Sequence, residues 1–469
     1  MEATGMLSGE AARQEGSKLW QYISAVSVCF LSIGVGSGLA WTSPVLPHLK
    51  AADSWLPMDE EQASWVSSLL AIGSMMGALP AGVVANSIGR KRTILLLAIP
   101  FLLSWAIILF VSKVWMLYAA RFIVGLAVGA ACVLVPTYLS EIAEPSVKGT
   151  LGAMFQLFLT VGIVFTFVMG ALVGYTTLAV ACAIIEVVFV GSFIFIPESP
   201  VWLMSKGRRL DASAALKRLR GDAYDVNCEV GQLQKEAEEN ASRSSSVFDL
   251  VRLPAPRKAL FICFAGMAFQ QLSGVNAVIF YTVDIFKAAK SSLDSDVAAI
   301  LVSVVQCVMA VVAAGIVDKA GRKPLLMFSS AVMCCSLVAL GLFFKLQENG
   351  SDVSKLGWLP LVSLVLFMIA FSIGMGPIPW MLTGEMFTVE HKGNASSLAV
   401  LLNWFLVFLV TKTFPTMKVI LNSSGAFWVF AVIMGIATVF TFFVVPETKG
   451  KTAQEVQAEL LGNKSNRSV

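Results

Sequence analysis

Charge is scarce in this 469-residue chain: 14% of its residues are Asp, Glu, Lys or Arg, and only two are histidine, His48 and His391. Against 57% hydrophobic residues and a mean hydropathy of +0.78, that shortage excludes an ordinary soluble globular protein. The formal charge of +4 is dispersed over short loops, so no basic patch points to a nucleic-acid partner. The eight cysteines include no CxxC pair. Cys29, Cys132, Cys182, Cys263, Cys307, Cys334 and Cys335 fall in or beside apolar runs, and Cys228 lies in the central polar stretch. Neither an outer disulfide framework nor a metal site is expected. With so little histidine, catalytic chemistry is not expected either, and the reading is a non-enzyme without metal or cofactor. The opening "MEATGMLSGEAARQEGSKLW" lacks a charged start followed by a short apolar core and a small-residue cleavage site, so no cleaved signal peptide is expected.

What the chain has in abundance is apolar runs of about 20 residues, the length that crosses roughly 30 Å of hydrocarbon as a helix. Twelve such spans begin near residues 22, 62, 93, 115, 150, 177, 258, 296, 324, 358, 396 and 425. They are too long for barrel strands, and lipid offers backbone groups no water partner, so helices are the expected form. The fold class is an all-α polytopic membrane protein surrounded by a lipid bilayer. "GRKR" (89–92), "SKGRR" (205–209) and "DKAGRK" (318–323) sit in loops of one parity, which the positive-inside rule makes cytoplasmic. An even span count then places both termini in the cytoplasm.

The two halves repeat. Span 2 ends in "ANSIGRKR" and span 8 in "VDKAGRKP"; span 4 runs into "EIAEPSVKG" and span 10 into "EMFTVEHKG"; span 6 exits at "PESP" and span 12 at "PETKG". Three matched pairs in one order indicate a duplicated six-helix unit, the pattern of transporters that rock two bundles about a midplane site. Carboxylates Glu141, Glu198, Asp318, Glu385 and Glu447 accompany the cations Arg90, Lys148, Arg322 and Lys392 at these helix ends. Such pairs are expected to latch the cytoplasmic side; the alternative is that the cations only set topology.

The resulting organisation is a cytoplasmic N-terminal segment (1–20), a first six-helix bundle (21–197), a cytoplasmic helical linker (198–257), a second bundle (258–446) and a cytoplasmic tail (447–469). Within the linker, "LDASAALKRLRG" reads as a helix that starts near Asp211 and stops at Gly221, and Val226, Val230, Leu233 and Ala237 mark one face of a second helix. The Ser-rich "ASRSSS" reads as flexible.

Over about residues 20 to 450 the chain resembles the sugar-porter family of the major facilitator superfamily, and in particular animal facilitative glucose transporters and insect facilitated trehalose transporters. The resemblance rests on "RFIVGLAVG", "PTYLSEIA", "PESPVWL", "QQLSGVNAVIFY", "DKAGRKPLL", "GPIPW", "NWFLVFLVTK" and "PETKG", in that order. It implies the twelve-helix major facilitator fold and adds Arg121, from "RFIVGLAVG", to the cytoplasmic gate. It also gives "QQLSGVNAVIFY" a purpose. Sugars are rings of hydroxyls, each both donor and acceptor, and the amides of Gln270, Gln271 and Asn276 offer both functions without charge. By family position Gln156, Gln306 and Asn403 face the same cavity. Interhelical glue is the alternative role for each of these amides. In "GPIPWMLTGE", Pro377 and Pro379 remove backbone donors and so form a hinge. Trp380 would present its ring to a pyranose, with Phe371 nearby, although tryptophan is also a common interface anchor.

Departures from the family shape the expected mechanism. Ser37 stands where proton-coupled porters carry an aspartate, which favours uncoupled diffusion over symport. Glu186 in span 6 has no assigned role. Asn86 and Ser87 replace the usual acid and base of the first latch, Lys148 and Lys392 replace arginine, and Ser372 replaces a glutamate common in glucose facilitators. A sensor on this fold usually carries a long tail, and about twenty residues follow "PETKG". The expected function is facilitative transport of a small-molecule sugar, glucose or trehalose, by a monomer in the plasma membrane. The "QAELLG" tail leaves an endosomal or lysosomal address open. Asn349 and Asn422 begin glycosylation sequons on outer loops, whereas those at Asn240, Asn394, Asn463 and Asn466 face the cytoplasm.

Overall fold

Polypeptide that must satisfy its own backbone in lipid becomes helix, and the computed structural model of this chain has no strand among its described residues, 16–51, 54–221, 224–242, 249–290 and 293–461. Spans 1 to 6 are Leu19–Ala40 with its continuation Thr42–Leu49, Glu60–Ile88, Arg90–Leu96 with Ala98–Leu109, Val114–Ile142, Lys148–Leu172 and Tyr175–Phe193. Span 7 comes in two pieces, Pro254–Leu272 and Val275–Ala289; spans 8 and 9 are Ser295–Ala320 and Arg322–Glu348. Span 10 also comes in pieces, Leu359–Ala370, a π-helical Phe371–Met375 and Ile378–Glu385. Spans 11 and 12 form one helical run, Val389–Val444, interrupted at Asn422 (φ 61°, ψ 174°). At 1.5 Å per residue those 56 residues reach about 80 Å, more than twice a bilayer core, so the break at Asn422 is a turn between two spans.

Small residues let helices meet backbone to backbone, the packing available where no hydrophobic force separates helix from lipid. Spans 2 and 4 show it from both sides. A Cβ on Gly77 would come within 2.0 Å of the Leu126 carbonyl oxygen, and one on Gly129 within 1.9 Å of that of Ser74. Between the halves, span 2 packs on the span 11–12 helix and span 5 on span 8.

Even pairing of spans leaves both chain ends on one face, here called the terminal face. Among the described residues, every side-chain hydrogen bond that crosses between the halves lies at the opposite face. Thr42 Oγ1 donates to the Phe280 carbonyl (3.4 Å), Val283 N to Ser43 Oγ (3.2 Å), Lys50 Nζ to Asp284 (2.9 Å) and Lys412 Nζ to Ser64 Oγ (2.8 Å). Burial disfavours charge on Lys50, but Asp284 and Glu60 outweigh it and hold its ammonium above the usual lysine range. The halves are thus clamped at the opposite face.

The linker forms the helices Pro200–Ser205, Arg209–Arg220, Val226–Ser242 and Asp249–Arg252; the first two pack on spans 4 and 1 of the first half, and the last packs on span 7 and the span 11–12 helix of the second. Gly221, at φ +89°, stops the second of these. Val226 and Val230 are buried, and Leu233 packs beside them on a small core of Trp202, Leu203, Met204, Ala212, Ala215 and Leu216. The side chain of Ala237 and the "RSSS" segment (243–246) lie outside the described residues.

Candidate substrate site and gates

The amide cluster assembles at two breaks. In span 7, Ser273 turns its hydroxyl back to the Gln270 carbonyl (2.7 Å) and accepts from Val275 N (3.3 Å), while Gly274 adopts φ +85°. A side chain is excluded there twice, by the backbone angle and because a Cβ would meet the Phe430 ring at 2.6 Å. Nothing in the apolar periodicity announces this interruption; the Ser-Gly dipeptide inside a span is the signal that carries it.

In span 10 the cause is chemical. The carbonyl of Met375 would ordinarily accept from the N–H four residues on, and that residue is Pro379, which has none. Gln270 supplies the missing donor: its Nε2 donates to the carbonyls of Met375 (2.9 Å) and Gly376 (2.6 Å). Its Oε1 accepts from Asn403 Nδ2 (3.1 Å) and Gln271 Nε2 (3.3 Å), and Gln271 Oε1 accepts in turn from Asn276 Nδ2. A primary amide has two donors and two lone pairs. All four positions of Gln270 are taken inside the protein, whereas Gln271, Asn276 and Asn403 each keep hydrogen-bonding capacity.

The other candidates stand apart from this relay. Gln156 is exposed on span 5 and Gln306 is buried on span 8, neither bonded to the cluster. Phe371 opens the π-helical turn and its ring lies beside Gly376, where a Cβ would approach it to 3.1 Å. Trp380 follows Pro379 with 41% of its surface exposed. Pro377 and Pro379 lie at the start of the last piece of span 10.

The terminal face carries two copies of one ion-pair motif. In the first half Arg90 clasps Glu141 through Nε (3.2 and 3.1 Å) and Nη2 (3.0 Å), with Asn86 Oδ1 accepting from Nη1. Ser199 donates to the same Glu141, and Glu198 accepts from the backbone N–H of Lys91 and of Ser199 (both 2.9 Å). In the second half Arg322 holds Glu385 (3.1 and 2.8 Å), Thr448 donates to Glu385, and Glu447 accepts from the N–H of Arg322 (2.9 Å) and Lys323 (3.1 Å). Burial alone would raise the Glu447 carboxyl, but the N–H groups of Lys449, Arg322, Lys323 and Thr448 outweigh it and hold it below the usual carboxylate range. Each pair joins helices of one half. Lys148 and Lys392 are exposed and form no ion pair among the described residues, and the side chain of Asp318 lies outside them.

Arg121 does not belong to this face. It stands 20 residues before Glu141 on span 4, about 30 Å along the helix axis. There it is fully buried, donates to the carbonyls of Gly38 (2.7 Å) and Val66 (3.2 Å) and lies 5.5 Å from the Trp41 ring centre. A guanidinium that ties spans 1, 2 and 4 together cannot serve a gate at the other end of its helix. Sequence reasoning also missed the Ser199 and Thr448 hydroxyls, which the repeated P-E-[ST] could have revealed, and the clamp at the opposite face, which no local pattern encodes.

Two repeated bundles, a polar cluster at the broken helices of the second and paired charges at one face define a membrane transporter of the alternating-access kind. The family model for sugar (and other) transporters matches residues 25–460, and the chain belongs to that family. It is 40% identical over 446 residues to the facilitated trehalose transporter Tret1 of Polypedilum vanderplanki, covering 94% of this chain and 88% of that one. Against Tret1 of Culex quinquefasciatus the identity is 39%, covering 94% and 86%; against that of Anopheles gambiae it is also 39%, but the chain spans 56% of that longer relative. The fold matches a partially occluded inward-open structure of the xylose transporter XylE from E. coli with a TM-score of 0.77 at 24% identity, covering 92% of this chain and all of that one.

Proposed function

We propose that this protein carries a sugar across the membrane by facilitated diffusion, alternating between states open to either side, and that trehalose is its substrate. The observation that carries the reading is the amide relay across spans 7, 10 and 11. Gln270 is the frame; Gln271 and Asn276 present their spare donors and acceptors to sugar hydroxyls, and Asn403, whose amide N–H groups are directed at Gln270 and the Met267 sulfur, presents its carbonyl. A buried amide left unmatched costs about 1–3 kcal/mol, so the site favours ligands rich in hydroxyls. Trehalose is preferred over glucose because the relatives named above, alike over nearly the whole of this chain, are called trehalose transporters. The terminal face is the cytoplasmic one, on the loop charges. The clamp at the opposite face then makes this an inward-facing state, in which the latches stay inside each half. Trp380 and the double proline supply an apolar wall and a hinge. The protein works as a monomer in the plasma membrane.

One observation favours a second reading, proton-coupled symport. Glu186 is fully buried, neither carboxylate oxygen has a hydrogen-bond partner, and its Oε1 presses on Gly34 of span 1. An intramembrane acid is a proton-path candidate by default. Labelled trehalose and glucose entering liposomes that contain the purified protein, with Gln271→Ala as control, separates the readings. Saturable trehalose entry that stops at equilibrium and ignores a protonophore is expected. Accumulation that collapses with the protonophore would replace uniport by symport, and entry of glucose alone would move the substrate to a hexose.

A further inference from the structure

A cleft of about 490 Å³ opens on the terminal face where the second linker helix, Arg209–Arg220, lies against the first turns of span 3 and the end of span 6. Its inner wall is apolar, from Ile88, Leu95 and Ile194; its rim carries Lys91, Arg92, Arg208 and Arg218 against only Glu198 and Asp211. Both acids are already engaged. Glu198 is saturating backbone N–H groups, and Asp211 accepts from Arg208 Nε at 2.7 Å. Lys91 Nζ donates to the Ile194 carbonyl (2.7 Å), and the Arg218 guanidinium lies 4.9 Å from the Trp20 ring centre. Neither contact is with an anion, and Arg92 is exposed with no ion-pair partner among the described residues. Burial disfavours charge on the Lys91 ammonium, the nearby Glu198 opposes this, and Arg218 and Arg92 lie close enough to add their repulsion. Three like charges converging on a partly apolar cleft repel one another, and an anion placed among them relieves the repulsion.

The duplication supplies an independent argument. The corresponding place in the second half works without such a rim: Lys449 Nζ donates to the Lys319 carbonyl, Lys323 lies near the Phe442 ring, and the chain continues as a single helix, Ala453–Leu460, packed on span 7. The second-half latch forms there all the same. Arg208 and Arg218 are therefore not needed for the latch.

We propose that this cleft binds a phosphate group, held by Lys91, Arg92 and Arg218 with the apolar wall beneath it. Guanidinium and ammonium donors match phosphate oxygens, and a site at the boundary between span and linker is reached equally by a phospholipid headgroup and by a soluble phosphate. A phosphate there joins the linker helix to the residue next to Arg90, and so stiffens the first-half latch. The assignment does not depend on which sugar is carried.

The test uses the full-length purified protein and titrates it with four probes. These are short-chain phosphatidylinositol 4-phosphate, short-chain phosphatidylcholine, free inositol 1,4-bisphosphate and inorganic phosphate. The phosphorylated lipid is expected to bind at least about tenfold more tightly than phosphatidylcholine. The double variant R92Q/R218Q, and Arg92→Gln alone, should lose that preference, while Arg209→Gln on the same helix but outside the cleft should keep it. Lipid binding well above that of the free bisphosphate assigns the site to a headgroup, and equal binding assigns it to a soluble phosphate; either supports the proposal. No preference for any phosphate probe, or an equal loss with Arg209→Gln, overturns it. Sugar entry through each variant, measured in parallel, verifies that the protein is folded.

Discussion

The two halves share one ion-pair motif and differ in what surrounds it. Arg90, Glu141, Glu198 and Ser199 in the first half superpose in role on Arg322, Glu385, Glu447 and Thr448 in the second. Even the glycine before each arginine has a positive φ, +109° at Gly89 and +91° at Gly321, with a carboxylate pressed against it. The bonded amide cluster, by contrast, belongs wholly to the second half, and the cationic cleft to the first half and the linker that follows it. Duplication kept the parts that hold helix ends in register, and each half then specialised in one task.

Gln270→Ala against Gln156→Ala should expose the largest difference between the halves. Removing Gln270 strands two carbonyls and two amides, a cost of about 3 kcal/mol, so sugar entry should fall about 100-fold in kcat/KM. Gln156, exposed and outside the relay, should cost about fivefold or less on the same scale. Equal losses would mean that the sugar is held symmetrically by both halves. The latches should behave in the opposite way: Glu141→Gln and Glu385→Gln each leave a partly buried guanidinium without its carboxylate and should lower stability by similar amounts, about 2 kcal/mol, read as matching drops in melting temperature. A drop confined to one of them would break the equivalence.

Gly89→Ala and Gly321→Ala sharpen it further. A Cβ would meet Glu198 Oε2 at 2.4 Å and Glu447 Oε2 at 2.8 Å. Strain and contact together should cost about 1–2 kcal/mol in each half, with the first half losing slightly more in thermal melting. The smallest effect concerns pH. Because the Glu447 carboxyl is held below the usual carboxylate range, its contribution is present above that range and is lost as pH falls through its lowered value. Melting curves of the native protein and Glu447→Gln should differ at neutral pH and converge in acid. A gap that persisted in acid would mean the stabilisation comes from packing rather than charge.

Much of this was legible without coordinates. Eleven of the twelve spans could be placed to within a few residues, span 11 opening at Val389 rather than near 396, because the cost of exposing polar backbone to hydrocarbon is local and each apolar run reports it alone. The latch motifs were legible because duplication printed them twice. Arg121 shows the limit: a motif names a residue without saying which end of a 29-residue helix it serves.

By itself the sequence determined the helical membrane architecture, the two repeated halves and the residue types of the site, since hydrophobic length and repetition are properties of contiguous strings. Only the tertiary structure decided that Gln270 spends all its hydrogen-bonding positions inside the protein while the buried Gln271, Asn276 and Asn403 keep some of theirs. The Met375 carbonyl that Pro379 leaves uncapped is 105 positions from Gln270, and Asn403 is 133 positions away. It alone closed the clamp at one face and opened the cationic cleft at the other. Hydrogen bonds and like-charge crowding depend on distances of a few ångströms between segments far apart in the chain, and those distances exist only once the helices have packed.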